Sequence, residues 1–187
     1  MRLFAAVLPP EAALAELAAA VGRLRSLPGA DRLRWTGRPG WHFTLAFYGE
    51  VDDDLVPGLG VRLERAAHRH RPFDLRLSGG GRFSRSVVWV GADGDRNAMR
   101  RLADAAVAAA RREGIPMGEH RPYAPHLTVA RNRSHTSLSP YVSGLADFES
   151  TRWTVERLCL VRSNLHVSGV PGEQPRYETI GSWHLGH

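Results

Sequence analysis

The sequence of 187 residues contains no lysine, a single cysteine and no apolar run of membrane-spanning length. The one cysteine, Cys159, excludes an intramolecular disulfide, and its alternating apolar surroundings predict a buried thiol rather than a nucleophile. A helix that crosses a bilayer needs about 20 apolar residues, and Pro9-Pro10 make the N-terminal run a poor signal peptide. We therefore expect a cytoplasmic protein without a disulfide framework.

Because lysine is absent, all 25 basic residues are arginine, and with 19 acidic residues the formal net charge is +6. The planar guanidinium group suits bidentate binding of phosphate. This charge favours an anionic partner, with nucleic acid or a nucleotide as the first hypothesis. Solubility, or a compositional preference for arginine, explains the same charge equally well, so the charge alone does not identify a partner.

Composition and periodicity predict one α+β domain over residues 1–187 with two lobes. Hydrophobic residues make up 43% of the chain and charged residues 24%, which is ordinary for a globular protein with a real core. The predicted order is strand, helix, strands, helix, strands, helix, strands. Several strands follow one another between helices and some could form hairpins, which favours largely antiparallel sheets over a doubly wound parallel sheet. Helices are predicted over 11–27, from about 58 after the acidic residues 52–54, and over 95–114. Strands are predicted over 1–9, 31–36, 41–51, 73–83, 86–92, 125–132, 150–165 and 176–185, whereas 137–148 is ambiguous.

The most informative pattern is a tetrapeptide that occurs twice, as HFTL at 42–45 and as HLTV at 126–129. Side chains alternate between the two faces of a strand, so each histidine shares a face with the threonine two positions later. The intervening apolar residues then anchor the opposite face in a core. Two such strands placed side by side would combine two imidazoles and two hydroxyls in one concave site.

This set of groups suits chemistry on a phosphodiester. One neutral imidazole can activate water while a protonated one serves the leaving oxygen, since both forms are accessible near the ordinary histidine pKa of about 6.5. Threonine hydroxyls can donate to non-bridging oxygens, and a nearby arginine can neutralise the developing charge. A single motif of this kind is more often a structural histidine in a strand, but its repetition indicates function.

With these two motifs, the sequence resembles the two-histidine (2H) phosphoesterase superfamily. More closely it resembles the bacterial and archaeal RNA 2′,3′-cyclic phosphodiesterases, which are often labelled 2′-5′ RNA ligases. The opening MRLFAAVLPP, HFTLAFYGEV, VVWVG, RPYAPHLTVAR and the closing YETI all fit that family, so the resemblance covers nearly the whole chain. It implies a bilobal fold of two mainly antiparallel sheets, related by pseudo-twofold symmetry around a central groove, with helices outside.

The resemblance also implies the activity and the site. The expected reaction is metal-independent hydrolysis of an RNA 2′,3′-cyclic phosphate end to a 2′-phosphate, without any cofactor. His42 would protonate the departing 3′ oxygen and His126 would activate water, although the near symmetry of the site leaves this assignment open. Thr44 and Thr128 would hold phosphate oxygens, and Arg131 would bind the phosphate. The expected partners are RNA with 2′,3′-cyclic phosphate ends or related nucleotides, bound by a monomer.

Two alternatives remain open from the sequence. The same groups could run the reverse reaction, in which a 5′-hydroxyl is joined to the cyclic phosphate through a 2′-5′ bond. A module that binds RNA without catalysis is the other alternative, although the intact histidines and threonines argue against it.

Two positions depart from a simple pattern. Trp41 stands where the family has a smaller aliphatic residue, and we expect its side chain to point away from the His42 face. Strict alternation places Arg131 on the face opposite His126, so Arg131 reaches the groove only if the strand bends or bulges after Val129. Alternation also places Tyr48 on the His42 face, where it could stack on a nucleobase, although packing is the preferred interpretation.

Overall fold

Nine strands and four helices make up the described part of the chain, residues 1–119, 121–165 and 173–186 of a computed structural model. The helices are α1 (Glu11–Arg25), α2 (Val56–His68), α3 (Arg96–Arg112) and α4 (Ser139–Leu145). The strands are β1 (Arg2–Val7), β2 (Leu33–Trp35), β3 (Phe43–Glu50), β4 (Phe73–Phe83), β5 (Val87–Gly94), β6 (Leu127–Asn132), β7 (Trp153–Val155), β8 (Arg157–Asn164) and β9 (Arg176–His184).

The strands form two sheets in which every neighbouring pair is antiparallel. The first sheet has the order β3-β1-β8-β9 and the second has the order β2-β6-β5-β4-β7. The α+β class with two antiparallel sheets, predicted from the sequence, is therefore confirmed. Each of the two histidine motifs lies in a different sheet, as the predicted pseudo-twofold arrangement requires.

One hydrophobic cluster joins both sheets and the helices. It contains Leu3 and Leu160 from the first sheet together with Leu77 and Val90 from the second, and all four side chains are buried. Helices α2 and α3 contact each other and the first sheet, whereas α4 contacts β4 of the second sheet and also α1. Among the described residues, no helix is long and apolar enough to cross a membrane.

Local sequence accounts for the best-defined helix, α3. The Asp95 carboxylate accepts a hydrogen bond of 2.9 Å from the Ala98 N–H and so caps the helix. Arg111 and Arg112 lie in the last turn, where positive charge is favoured by the helix dipole, and Gly114 follows with a φ of 82°.

Three details differ from the sequence-based prediction. The segment 150–165 is two strands, not one, because the chain passes at Glu156 from β7 in the second sheet to β8 in the first. Helix α2 begins at Val56 rather than at about 58, and a 3₁₀ turn over Asp53–Leu55 leads into it. The segment 137–148, which the sequence left ambiguous, contains the short helix α4.

The glycine-rich stretch 79–81 lies inside β4, which continues to Phe83 and pairs with β5, with a register shift at Gly79. Gly81 lies directly opposite Trp89 in this pairing, and a Cβ atom at Gly81 would lie 2.2 Å from the Trp89 ring. The absence of a side chain at Gly81 therefore makes room for the indole on this face of the sheet.

We predict that Gly81→Ala lowers the free energy of unfolding by about 1–3 kcal/mol, because the rigid indole of Trp89 must move to admit the methyl group. Urea unfolding would measure this loss. Gly118→Ala is the matched control, since a Cβ atom at Gly118 meets nothing within 4 Å, and it should change the stability little. Equal stabilities of the two variants would contradict this packing account.

Candidate active site between the two sheets

Both motif histidines lie one residue before a strand, His42 before β3 and His126 before β6. The two strands belong to different sheets, yet the side chains meet at one cleft of about 1040 Å³. All five residues that the sequence singled out line this cleft: His42, Thr44, His126, Thr128 and Arg131. The two histidines and the two threonines are partly exposed, and Arg131 is exposed, so all five are accessible to a ligand.

Each motif strand has an unpaired residue at the fourth position of the motif, and β3 has a second one at Tyr48. In the first sheet Thr44 pairs with Ala6 and Ala46 with Ala5, which leaves Leu45 without a partner. In the second sheet Thr128 pairs with Trp89 and Ala130 with Val88, which leaves Val129 without a partner. Such a β-bulge shifts the alternation of side chains along the rest of the strand.

The bulge at Val129 allows Arg131 to reach the cleft, which the sequence analysis had made conditional on a bend or bulge in this strand. Arg131 pairs with Val87 and lines the cleft, although strict alternation would place it on the opposite face from His126. Val129 and Ala130, which follow one another, are both fully buried, as expected where a bulge interrupts the alternation.

The bulge at Leu45 overturns the sequence-based placement of two aromatic residues. Phe47, which strict alternation would place on the core face with Phe43 and Leu45, is 49% exposed and lines the cleft. Tyr48, placed by alternation on the His42 face, is buried instead, and its hydroxyl donates a hydrogen bond of 2.9 Å to the Ala106 carbonyl. Packing, the preferred interpretation of Tyr48, is therefore confirmed.

Two other aromatic residues next to the motifs have different positions. Trp41, which precedes His42, is 6% exposed and packs in the main core, as expected for a side chain that points away from the site. Tyr123 packs partly against the core but also lines the cleft. Its hydroxyl is buried without a hydrogen-bond partner in the described part of the chain.

Two aromatic rings enclose the His42 imidazole. Phe4 stacks on it with ring centroids 4.6 Å apart, and Tyr177 meets it edge-on at 5.3 Å. This burial disfavours the charged imidazolium and lowers the pKa of His42 to about 4. In the free protein at neutral pH, His42 is therefore neutral.

The His126 imidazole has different neighbours. Its Nδ1 lies 3.0 Å from the Ala124 carbonyl oxygen, and Phe83 meets the ring edge-on at 4.7 Å. A carbonyl can only accept a hydrogen bond, so Nδ1 carries the proton and donates it to Ala124. In the neutral ring this tautomer leaves the lone pair on Nε2, as a general base requires.

Further arginines line the cleft that no motif had indicated. Arg34 on β2 lies directly opposite Arg131 on β6 and donates a hydrogen bond of 2.7 Å to the Glu173 carbonyl. Arg2 lies on the other sheet, over the ring of Phe47. The aromatic residues Phe4, Phe83 and Tyr177 were missed in the same way, since they come from strands distant in sequence from both motifs.

The free thiol does not line this cleft. Cys159 is buried in a small cluster with Phe4 and Val161, and burial raises the pKa of its thiol. This confirms the prediction of a buried thiol. Within residues 1–119, 121–165 and 173–186, no group of three histidine, cysteine or acidic side chains is arranged to hold a metal ion.

Comparison with known proteins agrees with this geometry. The family model of the 2′-5′ RNA ligase superfamily matches residues 9–166. The RNA 2′,3′-cyclic phosphodiesterase of Thermus thermophilus is 32% identical over 180 residues, which is 90% of this chain and 85% of the relative. That of Aeropyrum pernix is 33% identical over 174 residues, with 86% and 93% covered. That of Geobacillus stearothermophilus is longer: the match covers 81% of this chain and 47% of the relative at 28% identity.

Solved structures share the fold over the full chain. The crystal structure of TT0787 from Thermus thermophilus superposes with a TM-score of 0.78 at 27% identity and covers 100% of both chains. Escherichia coli LigT in complex with 3′-AMP superposes with a TM-score of 0.76 at 25% identity, covering 100% of this chain and 98% of that one.

We predict that acid destabilises this protein partly through His42. The unfolded chain binds a proton at His42 near pH 6.5, but the folded protein does so only near pH 4. Between these values the unfolded state binds more protons, so the free energy of unfolding should fall as the pH falls from 6.5 to 4. Urea unfolding measured across this range should show a shallower fall in His42→Asn.

The control for this prediction is His68→Asn, which removes an exposed histidine from the end of α2. Its stability should follow the wild-type pH dependence. Identical slopes for His42→Asn and the wild type would show that His42 is not held neutral by its aromatic neighbours.

Proposed function

Because this chain belongs to the 2′-5′ RNA ligase superfamily, we propose that it hydrolyses RNA 2′,3′-cyclic phosphate ends to 2′-phosphomonoesters. The observation that carries this proposal is the convergence of His42 with Thr44 and of His126 with Thr128 on one cleft, from two different sheets. Curated relatives from three organisms carry the name RNA 2′,3′-cyclic phosphodiesterase, which supports the same reaction.

In the proposed reaction the two histidines divide the proton transfers. His126 Nε2 takes a proton from water as the water oxygen bonds to phosphorus. The bond between phosphorus and the 3′ oxygen breaks, and His42 donates a proton to that oxygen. The product keeps the phosphate on the 2′ oxygen, and each proton transfer contributes roughly 10²–10⁴ in rate.

The surroundings of His126 support its role as the base, whereas those of His42 set a condition on its role as the acid. The Ala124 carbonyl fixes the tautomer in which His126 Nε2 accepts a proton. His42 is neutral in the free protein, so it must gain a proton before it can act as an acid. A bound phosphate anion would favour this protonation, because a negative charge next to the imidazole raises the pKa of His42.

The remaining groups would hold the phosphate. Thr44 and Thr128 offer hydroxyl donors beside the two histidines, and Arg131 offers a guanidinium on the same face of β6 as Thr128. These donors are neutral or positive, so they stabilise the added negative charge of a pentacoordinate phosphorus without a metal ion. The 3′-AMP complex of Escherichia coli LigT supports a nucleotide as the ligand.

The test is hydrolysis of an oligonucleotide with a 2′,3′-cyclic phosphate end in excess EDTA, followed by chromatography. We expect full wild-type activity and a product with a 2′-phosphate. His42→Ala and His126→Ala should each lower kcat by at least about 100-fold, because each removes one proton transfer. The control His68→Ala should behave as the wild type, since His68 is exposed on α2 away from the cleft.

Three outcomes would reject the proposal: wild-type activity in either cleft variant, loss of activity in EDTA, or RNA binding without turnover by the wild type. Circular dichroism of each variant would confirm that it is folded.

A further inference from the structure

The wall of the cleft opposite Arg131 carries an arginine on an aromatic ring. The Arg2 guanidinium carbon lies 4.6 Å from the centroid of the Phe47 ring, and both residues line the cleft. A cation–π contact of this kind holds a guanidinium in one orientation with little loss of side-chain entropy. Phe47 is one of the few large hydrophobic side chains left exposed, at 49%.

Phe47 and Arg131 occupy equivalent positions in the two halves of the site. Each lies five residues after its motif histidine and two residues after the unpaired residue of the bulge. In the second sheet this position supplies a guanidinium directly. In the first sheet the equivalent position is the aromatic ring of Phe47. The guanidinium comes from Arg2 on the neighbouring strand β1, which lies over that ring.

The charge of Arg2 has no carboxylate partner within the described part of the chain. Arg2 pairs with Glu50 in the strand register, but no salt bridge joins their side chains there. The Glu50 carboxylate lies instead 3.6 Å from the amino group of Met1. A partly exposed guanidinium that is oriented by an aromatic ring and has no carboxylate partner in the described residues is suited to an anionic ligand.

Arg2 and Arg131, which belong to different sheets, both line the cleft together with Tyr177. Burial raises the pKa of the Tyr177 hydroxyl, and the charges of Arg131 and of Arg2 both oppose this rise. Tyr177 also meets the His42 ring edge-on. Arg2, on the first sheet, and Arg131, on the second, line the same cleft as His42 and Tyr177.

We propose that Arg2, held by Phe47, binds the phosphodiester that joins the terminal nucleotide of the substrate to the nucleotide before it. This inference rests on the proposed function, in which Arg131 binds the cyclic phosphate. A second guanidinium on the opposite wall then matches the next phosphate along an RNA chain. The substrate is accordingly an RNA end, and a free cyclic mononucleotide lacks the group that Arg2 recognises.

The experiment compares two substrates, a 2′,3′-cyclic mononucleotide and a dinucleotide with the same cyclic end. We expect the wild type to have a kcat/KM for the dinucleotide at least about ten-fold higher, because one charge-assisted contact is added. Arg2→Gln should lower kcat/KM for the dinucleotide by about ten-fold or more and lower that for the mononucleotide much less. The slope of log KM against log salt for the dinucleotide should also decrease by about one.

Matched variants separate the contact from general charge effects. Phe47→Tyr keeps the aromatic ring and should keep the preference for the dinucleotide, whereas Phe47→Leu should lose most of it. Arg69→Gln removes the same charge from an exposed position at the end of α2 and should leave both substrates unaffected. A preference that survives in Arg2→Gln would overturn the inference.

A dinucleotide with a neutral methylphosphonate linkage identifies the group that is recognised. If Arg2 binds the phosphodiester, this substrate should behave like the mononucleotide in the wild type. If the wild type still prefers it and Arg2→Gln does not, Arg2 recognises a base, and the inference is wrong. Absence of hydrolysis of every substrate by the wild type would reject the proposed function itself, whereas hydrolysis without a preference would reject only the role of Arg2.

Discussion

The candidate site depends on one unpaired residue in each motif strand. Leu45 in β3 and Val129 in β6 interrupt the antiparallel ladder at the same motif position. Without these bulges, strict alternation would direct Phe47 and Arg131 into the core. Burial of an unpaired guanidinium is strongly unfavourable, so the second sheet could not tolerate Arg131 in that register. The bulge turns this side chain towards the cleft and keeps two successive residues, Val129 and Ala130, in the core.

The two halves of the site share a motif but not an environment. His42 lies between Phe4 and Tyr177, which hold it neutral, whereas His126 is fixed by the Ala124 carbonyl and touches Phe83 at its edge. Acid-base catalysis on one phosphorus needs two groups in opposite protonation states. A perfectly symmetric site would give both imidazoles the same surroundings, so the different neighbours are what distinguish one histidine from the other.

The sequence predicts the fold class and the four motif residues because period-two alternation and a repeated motif are local signals. Arg131 follows only from the family resemblance, since strict alternation places it on the opposite face. His42 and Thr44, like His126 and Thr128, lie within the first three positions of a motif, before the bulge alters the alternation. The environment of the histidines depends on pairing between distant strands. Phe4 reaches His42 only because β1 pairs with β3, and Tyr177 only because β9 joins the same sheet. No local pattern encodes these contacts, nor the passage from β7 to β8 at Glu156.

The arginines of the cleft explain why an anion would be bound strongly. Arg34 and Arg131 lie directly opposite each other on neighbouring strands, an arrangement in which like charges repel and destabilise the sheet. Arg34 donates a hydrogen bond of 2.7 Å to the Glu173 carbonyl. A phosphate between the sheets would compensate the positive charges of Arg34 and Arg131 and would also favour the imidazolium of His42. In the proposed reaction, binding of the anion and protonation of His42 would therefore be coupled, so the electrostatics that attracts the substrate would also prepare His42 to act as the acid.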